Sequence, residues 1–523
     1  MGLARGIYRA LEDIVGPENI ADEPAVLDSY AFHWMGEFMP TGEGDRFVIR
    51  PEAVVLPGST EEVQAIVRAC NRYKIKFKAF STGWGAWGGP GSEGVIQLDL
   101  RRMNRILEIN EENMYAVVEP YVIGAQLQAE LMKRGLNCNI ITCGSNISAL
   151  PLAALVGDGF SSVSTSMQGR NTLGVEWVLP TGEILRLGSL GSEAGWFCGD
   201  GPGPSLRGIT RGVDAITGGI GVFTKAATKV YHWPGPPVPP TEIKGVSPSY
   251  TMKPQPLMHC YYVLFPSWEK LSEAGIKIAE SEIAYILAAV PQLRLAANIA
   301  TSSEEGAQFV SEISKSSKGR PGLLVMINAK SRREFDYQEK VLRKILAETD
   351  GEYLSLLEEG EIQGGLTWRF TRVSGGSRQY FRFNGGYGYF GTMTNWDRLS
   401  GIRGEGNRAS EKYIRKGQIL DDDGVGGLSI SIEYGHLGAS GIEASYDPTD
   451  PESRQATVQI AIEASRLGLE KYKYTLPATS AEEHDLLGPQ LSNYHLWLRK
   501  IKKAFDPNVV SDPSHYIKPQ RKK

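Results

Sequence analysis

A chain of 523 residues with 41% hydrophobic side chains and 60 glycines is too long for one core and reads as two or three turn-rich globular domains. Its net charge of −4 and pI near 6.1, with no basic stripe, exclude an electrostatic footprint for nucleic acid. No apolar run reaches the roughly 20 residues needed to cross a bilayer. The opening MGLARGIYRALEDIVG mixes charge and apolar residues like an amphipathic helix, not a signal peptide. The five cysteines (Cys70, Cys138, Cys143, Cys198, Cys260) are scattered without a CxxC pair, so neither a disulfide framework nor a metal cluster is indicated, and a reducing cytoplasm is expected.

In chain order, residues 1–45 predict a helix followed by an irregular segment. Ala53–Leu56 is a short apolar run, and Ser59-Thr60-Glu61-Glu62 opens a helix whose apolar residues Val63, Ile66, Val67 and Cys70 share one face. Strands are expected at Phe77–Phe80, Val95–Leu98, Ile106–Ile109 and Tyr115–Glu119, then a helix through Ile123, Leu127 and Leu131. A hairpin follows around Pro180-Thr181-Gly182, and the section closes on the strand Ala227–Tyr231. The proline-rich run at 233–240 cannot join a sheet interior and marks a boundary.

Beyond it, strands at Tyr261–Phe265 and Gly322–Asn328 alternate with helices at Trp268–Ala284 and Arg333–Glu348, a ferredoxin-like α+β pattern. A strand at Leu428–Glu433 and helices at Gln455–Leu469 and Tyr494–Phe505 complete the chain. The boundaries are therefore 1–45, an N-terminal helix and irregular segment; 46–233, a first domain; 234–256, a linker; 257–490, a second domain; and 491–523, a closing helix returning to the first domain.

The most distinctive stretch is KAFSTGWGAWGG (78–89). Glycine removes the Cβ atoms that hold a backbone away from a polyanion and permits φ > 0, so main-chain N–H groups of Ser81, Thr82, Gly83, Trp84, Gly85, Ala86 and Trp87 can approach a diphosphate. By itself such a stretch is more often only a plain turn.

Its neighbours give it a frame. PEAVVLPGSTEEVQAIVRACNRYKI (51–75), VIQLDLRRMNRILEIN (95–110), AVVEPYV (116–122), LGVEWVLPTGEILRLG (173–188) and GGIGVFTKAATKV (218–230) resemble, in order and spacing, the FAD-binding domain of the vanillyl-alcohol oxidase and p-cresol methylhydroxylase superfamily; IKKAFDPNVVSDP (501–513) resembles its C-terminal signature. The resemblance implies an α+β fold: a two-subdomain FAD-binding domain, plus a ferredoxin-like α+β cap domain over the flavin. No GxGxxG Rossmann turn is expected in that fold, and none is found between a strand and a helix.

It further implies that Ser81–Trp87 and Pro120 hold the diphosphate, that Gly157, Asp158, Gly159, Ser161 and Ser162 form a second flavin loop, and that Ile220, Gly221 and Val222 lie along the ring and adenine edges. Members that attach FAD through the first loop carry a histidine there. This chain has none between His33 and His232, so attachment from that side is excluded; a cap-side histidine or tyrosine linkage stays open, and non-covalent FAD is the preferred expectation.

On the substrate side, Gly435-His436-Leu437-Gly438 looks like the start of the GHxGDGNxH motif of the D-2-hydroxy-acid dehydrogenase branch, placed after a strand and before a helix. In that branch two histidines and a later glutamate hold a divalent metal. Here Ala439 and Gly441 replace Asp and Asn, and Glu443 stands at the second histidine. His436, Glu443 and Glu483 are thus the candidate metal ligands, while a buried structural histidine and an acidic turn explain the same residues without a metal.

His436, Tyr434 and His484 are candidate catalytic groups, with Arg369 or Arg382 as partner for a carboxylate; as a set, the arginines of 369–382 read as surface charges along strands. The expected activity is dehydrogenation of a CH–OH carbon, most simply in a small 2-hydroxy acid, with electrons passed to a quinone, an electron-transfer flavoprotein or an iron–sulfur subunit. Oxidation of para-substituted phenols, a non-redox FAD transferase and a flavin-binding partner subunit are the alternatives. A homo-oligomer is compatible with all of them.

Overall fold

The computed structural model describes residues 2–31, 49–83, 88–140, 144–151, 161–199, 205–211, 217–246, 248–373, 381–421, 428–472 and 481–519. The N-terminal part runs α1 (Arg5–Val15), β1 (Ile20–Ala21), α2 (Pro24–Ala31), β2 (Val54–Val55), α3 (Thr60–Tyr73), β3 (Lys76–Phe80) and β4 (Val95–Asp99). Helix α3 starts where expected: the Ser59 side chain accepts a hydrogen bond from Glu62 N, and the acids Glu61 and Glu62 sit on the positive end of the helix dipole. Its apolar face, Val63, Ile66, Val67 and Cys70, is wholly buried against Phe77, Ile96 and Leu98. The strands form one sheet in the order β1-β2-β4-β3, with β2, β3 and β4 parallel.

A second sheet uses β5 (Ile106–Asn110), β6 (Tyr115–Val118), β7 (Leu136–Cys138), β8 (Thr172–Val178), β9 (Ile184–Leu187) and β10 (Val222–His232), with α4 (Gly124–Met132) between β6 and β7. The order is β5-β6-β10-β8-β9, and β7 pairs with the far end of β10. Strand β10 is longer than the sequence pattern suggested, beginning at Val222 opposite Val178.

After a two-stranded ribbon, β11 (Thr241–Lys244) and β12 (Ser249–Met252), the second domain builds on β13 (Met258–Leu264), α5 (Trp268–Glu280), β14 (Ile286–Ala289), α6 (Gln292–Ile299), α7 (Ser303–Ser317), β15 (Gly322–Asn328), α8 (Arg332–Thr349) and β16 (Glu352–Tyr353). It continues with α9 (Gly360–Arg372), α10 (Phe381–Asn384), β17 (Gly386–Thr394), α11 (Leu399–Ile414), β18 (Leu428–Ile432), β19 (Leu437–Tyr446) and α12 (Pro451–Leu467), and the chain closes with α13 (Ala481–Leu487) and α14 (Tyr494–Phe505).

The seven strands of this domain lie in the order β16-β13-β15-β14-β18-β19-β17, with antiparallel pairing throughout. One face packs on α5 and α8 through Val263, Phe265, Val325 and Ile327. The opposite face, with Ala288, Met326, Leu428, Ile430 and Ile432, shares a core with Leu366 and Phe370 of α9 and with Val118, Trp177 and Ile220 of the first domain. That shared core joins the second and third sheets through one buried cluster.

Two expectations are corrected. Arg369 and Arg372 lie on helix α9, not on strands, and Arg369 is buried. His436 is followed by strand β19, so it occupies a hairpin turn and not the approach to a helix.

Candidate cofactor site

Strand β3 leads into Ser81-Thr82-Gly83, which are half-buried; Trp84, Gly85, Ala86 and Trp87 lie outside the described residues. Gly83 has φ +66°, and a Cβ there would meet the Phe80 ring at 2.6 Å. A Cβ on Gly88 would lie 3.4 Å from Gly83 Cα, so the loop closes on itself at its base over Phe80. Thr82 Oγ1 accepts from Ser148 N at 3.1 Å, and Ser148 Oγ donates to Pro120 O at 2.5 Å, which fastens the first expected cofactor loop to the Glu119-Pro120-Tyr121 turn.

In the second expected loop Gly157, Asp158 and Gly159 lie outside the described residues. Ser161 Oγ donates to Cys138 O, and the Ser162 and Ser164 hydroxyls bond to each other at 2.7 Å, so both predicted serines have local structural partners. The segment is joined to the cap: Tyr434 N donates to Val163 O at 2.9 Å and Glu433 N to Thr165 O at 3.2 Å. The Glu433 carboxylate takes Met167 N at 2.9 Å and pairs with Arg170 at 2.6 Å. Burial pushes this carboxyl up, yet the Met167 amide and Arg170 more than offset it and its pKa lies below the usual value.

The third segment is the turn 217–221. Trp177 Nε1 donates to Ile220 O at 2.8 Å, and Gly221, at φ +106°, has no room for a Cβ because Val178 O would lie 2.4 Å away. Val222 then enters β10. Beneath this turn Lys78 is fully buried and its Nζ donates to Thr217 O at 2.9 Å. Burial pushes the Lys78 pKa down to about 8, with Asp512 opposing the fall.

Asp512 belongs to a C-terminal stretch that the sequence placed near this domain without assigning it contacts. Phe77 N donates to Val510 O at 2.8 Å and Asp512 N to Phe77 O at 2.9 Å, forming a parallel bridge beside β3. Burial raises the Asp512 carboxyl, but Lys78, the Gly91 amide and Ser514 bring it below its usual value. No local sequence signal pairs Lys78 with a residue more than four hundred positions away.

The predicted substrate-side residues are not brought together. His436 is exposed in the turn between β18 and β19, and Tyr434 beside it is 45% exposed. Glu433, Tyr434 and Gly435 all have positive φ (49°, 54° and 82°), so this turn is held in a strained left-handed run. Arg369 is buried, with its guanidinium 5.6 Å from the Trp368 ring centre. Arg382 is on α10, but its side chain lies outside the described residues. His484 is buried on α13 with Nδ1 2.8 Å from the Tyr494 hydroxyl.

The metal set is corrected. Glu443 is buried in the cap, ion-paired with Arg294 of α6 and accepting from the Tyr387 hydroxyl at 2.9 Å. It stands seven residues along β19 from His436, roughly 20 Å of extended chain, too far to share an ion. No group of three potential ligands among the described residues could hold a metal, Glu483 included. The Arg294–Glu443–Tyr387 cluster was missed because its members come from three separate elements.

Backbone segments with glycines at their closest approaches, tied to one another and backed by a buried lysine, suit the diphosphate and ring of FAD. Comparison with known proteins agrees. The model of an FAD binding domain matches residues 51–188. A probable mitochondrial D-lactate dehydrogenase of Danio rerio is 30% identical over 187 residues, and the match spans 35% of this chain and 36% of that protein, little more than a third of its length.

Among solved structures, 4-ethylphenol oxidase from Gulosibacter chungangensis superposes with a TM-score of 0.74 over 99% of this chain and 97% of that one at 20% identity. p-Cresol methylhydroxylase superposes at 0.73 over 99% and 98%, with 18% identity. The fold of both is the fold of this chain. Residues 51–188 are accordingly an FAD binding domain, and the chain as a whole has the fold of 4-ethylphenol oxidase and p-cresol methylhydroxylase.

Proposed function

We propose that the chain is an FAD-dependent oxidoreductase that dehydrogenates a carbon bearing a hydroxyl group, most simply in a 2-hydroxy acid of the D-lactate or glycolate type. The observation that carries this is the fastening of the glycine-bearing loop after β3 to Pro120 through Thr82 and Ser148, with the Gly221 turn beside it. The FAD binding domain match and the name of the Danio rerio relative support it. Bound flavin supplies a two-electron acceptor for hydride.

The chain's residues bind and orient. Backbone at 81–83 and in the loop that follows holds the diphosphate, and Ile220–Val222 hold the ring edge, without a covalent bond. The hydrogen bonds from Glu433 and Tyr434 to Thr165 and Val163, which follow the second expected loop in sequence, support His436 as acceptor of the substrate hydroxyl proton, with Arg369 or Arg382 for the carboxylate. Electrons leave to a quinone or a partner redox protein. The proposed compartment is a reducing cytoplasm, with which the buried thiols of Cys70, Cys138 and Cys260 agree.

A para-substituted phenol is the second substrate class. It is supported by the names of the two solved structures that share this fold, 4-ethylphenol oxidase and p-cresol methylhydroxylase.

The test is an absorption spectrum of the purified protein followed by anaerobic titration. Bleaching of the flavin by D-lactate or glycolate supports the first substrate class and bleaching by a 4-alkylphenol the second. A bound flavin that none of these reduces points to a partner subunit. Protein that stays colourless after incubation with FAD overturns the cofactor assignment.

A further inference from the structure

The C-terminal stretch 502–516 contacts two of the three cofactor segments from behind. It brackets the first loop at both ends, bridging Phe77 through Val510 and Asp512 and accepting Gly91 N on Asp512 Oδ2 at 2.9 Å. It also grips the third segment: Ser511 Oγ accepts from Gly221 N at 2.8 Å and donates to Gly218 O at 3.2 Å, while Lys502 Nζ donates to Gly219 O at 2.5 Å. The contact is tight. A Cβ on Gly91 would lie 2.2 Å from Ser514 Cβ, and one on Gly219 would lie 2.1 Å from Tyr516 Cβ; Ser514 and Tyr516 are both 2% exposed. Neither loop can shift without displacing this stretch.

We propose that residues 502–516 are the positioning element that sets cofactor affinity: docking of the stretch and binding of FAD strengthen each other. Glycine-rich loops lose much conformational freedom when they order around a ligand, and a docked stretch that has already ordered them removes that cost from binding. Coupling of this kind is reciprocal, so FAD must in turn hold the stretch in place. The proposal rests on the FAD assignment above.

The test uses the full chain with Gly91→Ala, which adds a methyl group in the space of Ser514 outside the cofactor loops, and Ser511→Ala, which only removes a hydroxyl. FAD affinity is read from flavin fluorescence, and hydrogen exchange of the peptide 505–517 is followed with and without FAD. The expected result is a loss of affinity of about tenfold or more for Gly91→Ala, about fivefold for Ser511→Ala, and slower exchange of 505–517 in wild type when FAD is added. If Gly91→Ala does not fold, the Ser511→Ala result decides.

Variants that melt earlier yet bind FAD as wild type does, with exchange of 505–517 unmoved by FAD, overturn the coupling alone. Wild type that binds no FAD overturns the cofactor assignment, and the coupling with it.

Discussion

The Lys502 ammonium lies 2.5 Å from the Asp506 carboxylate one helical turn away, and neither side chain is more than 2% exposed. Lys502 Nζ also donates to Ser511 O at 2.8 Å, while Asp506 accepts from the amides of Val510 and Ser511. The pair therefore shapes the exit of α14 into the C-terminal stretch. Removing one partner leaves a buried charge uncompensated, so Lys502→Met or Asp506→Asn is expected to cost about 3–5 kcal/mol of stability, read from urea unfolding. An unchanged midpoint for both variants contradicts the role.

Lys78 gives the stability a dependence on pH. Its folded pKa of about 8 lies below the ordinary 10.5 because burial disfavours the charge. Between those values the unfolded chain binds a proton that the folded chain does not, so this residue makes stability rise with pH across that window. Below it the full penalty, about 3 kcal/mol, is present. Lys502 is lowered by burial in the same sense, with Asp506 opposing, so the comparison must be made between wild type and Lys78→Met. The variant is expected to show a flatter slope above pH 8; parallel slopes count against it.

Gly83→Ala places a methyl group against the Phe80 ring in a backbone region that alanine adopts at a cost of about 1–2 kcal/mol. The loop must move, and FAD affinity is expected to fall at least tenfold or so with little change in the far-UV spectrum. Equal FAD titrations for variant and wild type would rule this out.

His436→Asn is expected to slow substrate-dependent flavin reduction by about 10² or more, leaving the spectrum of bound flavin unchanged because His436 is exposed in the turn and takes no part in the described core. Reduction at the wild-type rate would remove His436 from the chemistry.

Glu443→Gln leaves the Arg294 charge buried without its counter-ion, at a cost of about 3 kcal/mol or more. Chelation of divalent metal is expected to leave activity unaltered, since Glu443 is committed to Arg294. Metal bound in proportion to protein, and lost with this substitution, would reverse the correction made above.

What the sequence made legible was local. Ser59 with Glu62 announced the start of α3, and the apolar run Gly322–Asn328 and the periodic stretch Tyr494–Phe505 became β15 and α14 with those same ends. Helix α9 was hidden because Gly360, Gly364 and Gly365 weaken helix propensity; packing overrides it, since a Cβ at Gly364 would lie 2.8 Å from Met252 O. Strand β19, LGASGIEASY, looks like a loop but is flanked on both sides by β17 and β18, whose ladders supply what its side chains do not. In the site, the cofactor loops showed as glycine-rich sequence, whereas the pairing of Arg294 with Glu443 and the approach of Asp512 to Lys78 depend on contacts that only the finished fold creates.

The bridge between Phe77 and Ser511 also fixes an order of events during biosynthesis. The strand that leads into the flavin loop is made early, but its neighbour leaves the ribosome only after the whole cap has been translated. A nascent chain therefore lacks this brace on β3 for most of its synthesis, and a premature stop codon before residue 510 removes it from a strand made more than four hundred residues earlier.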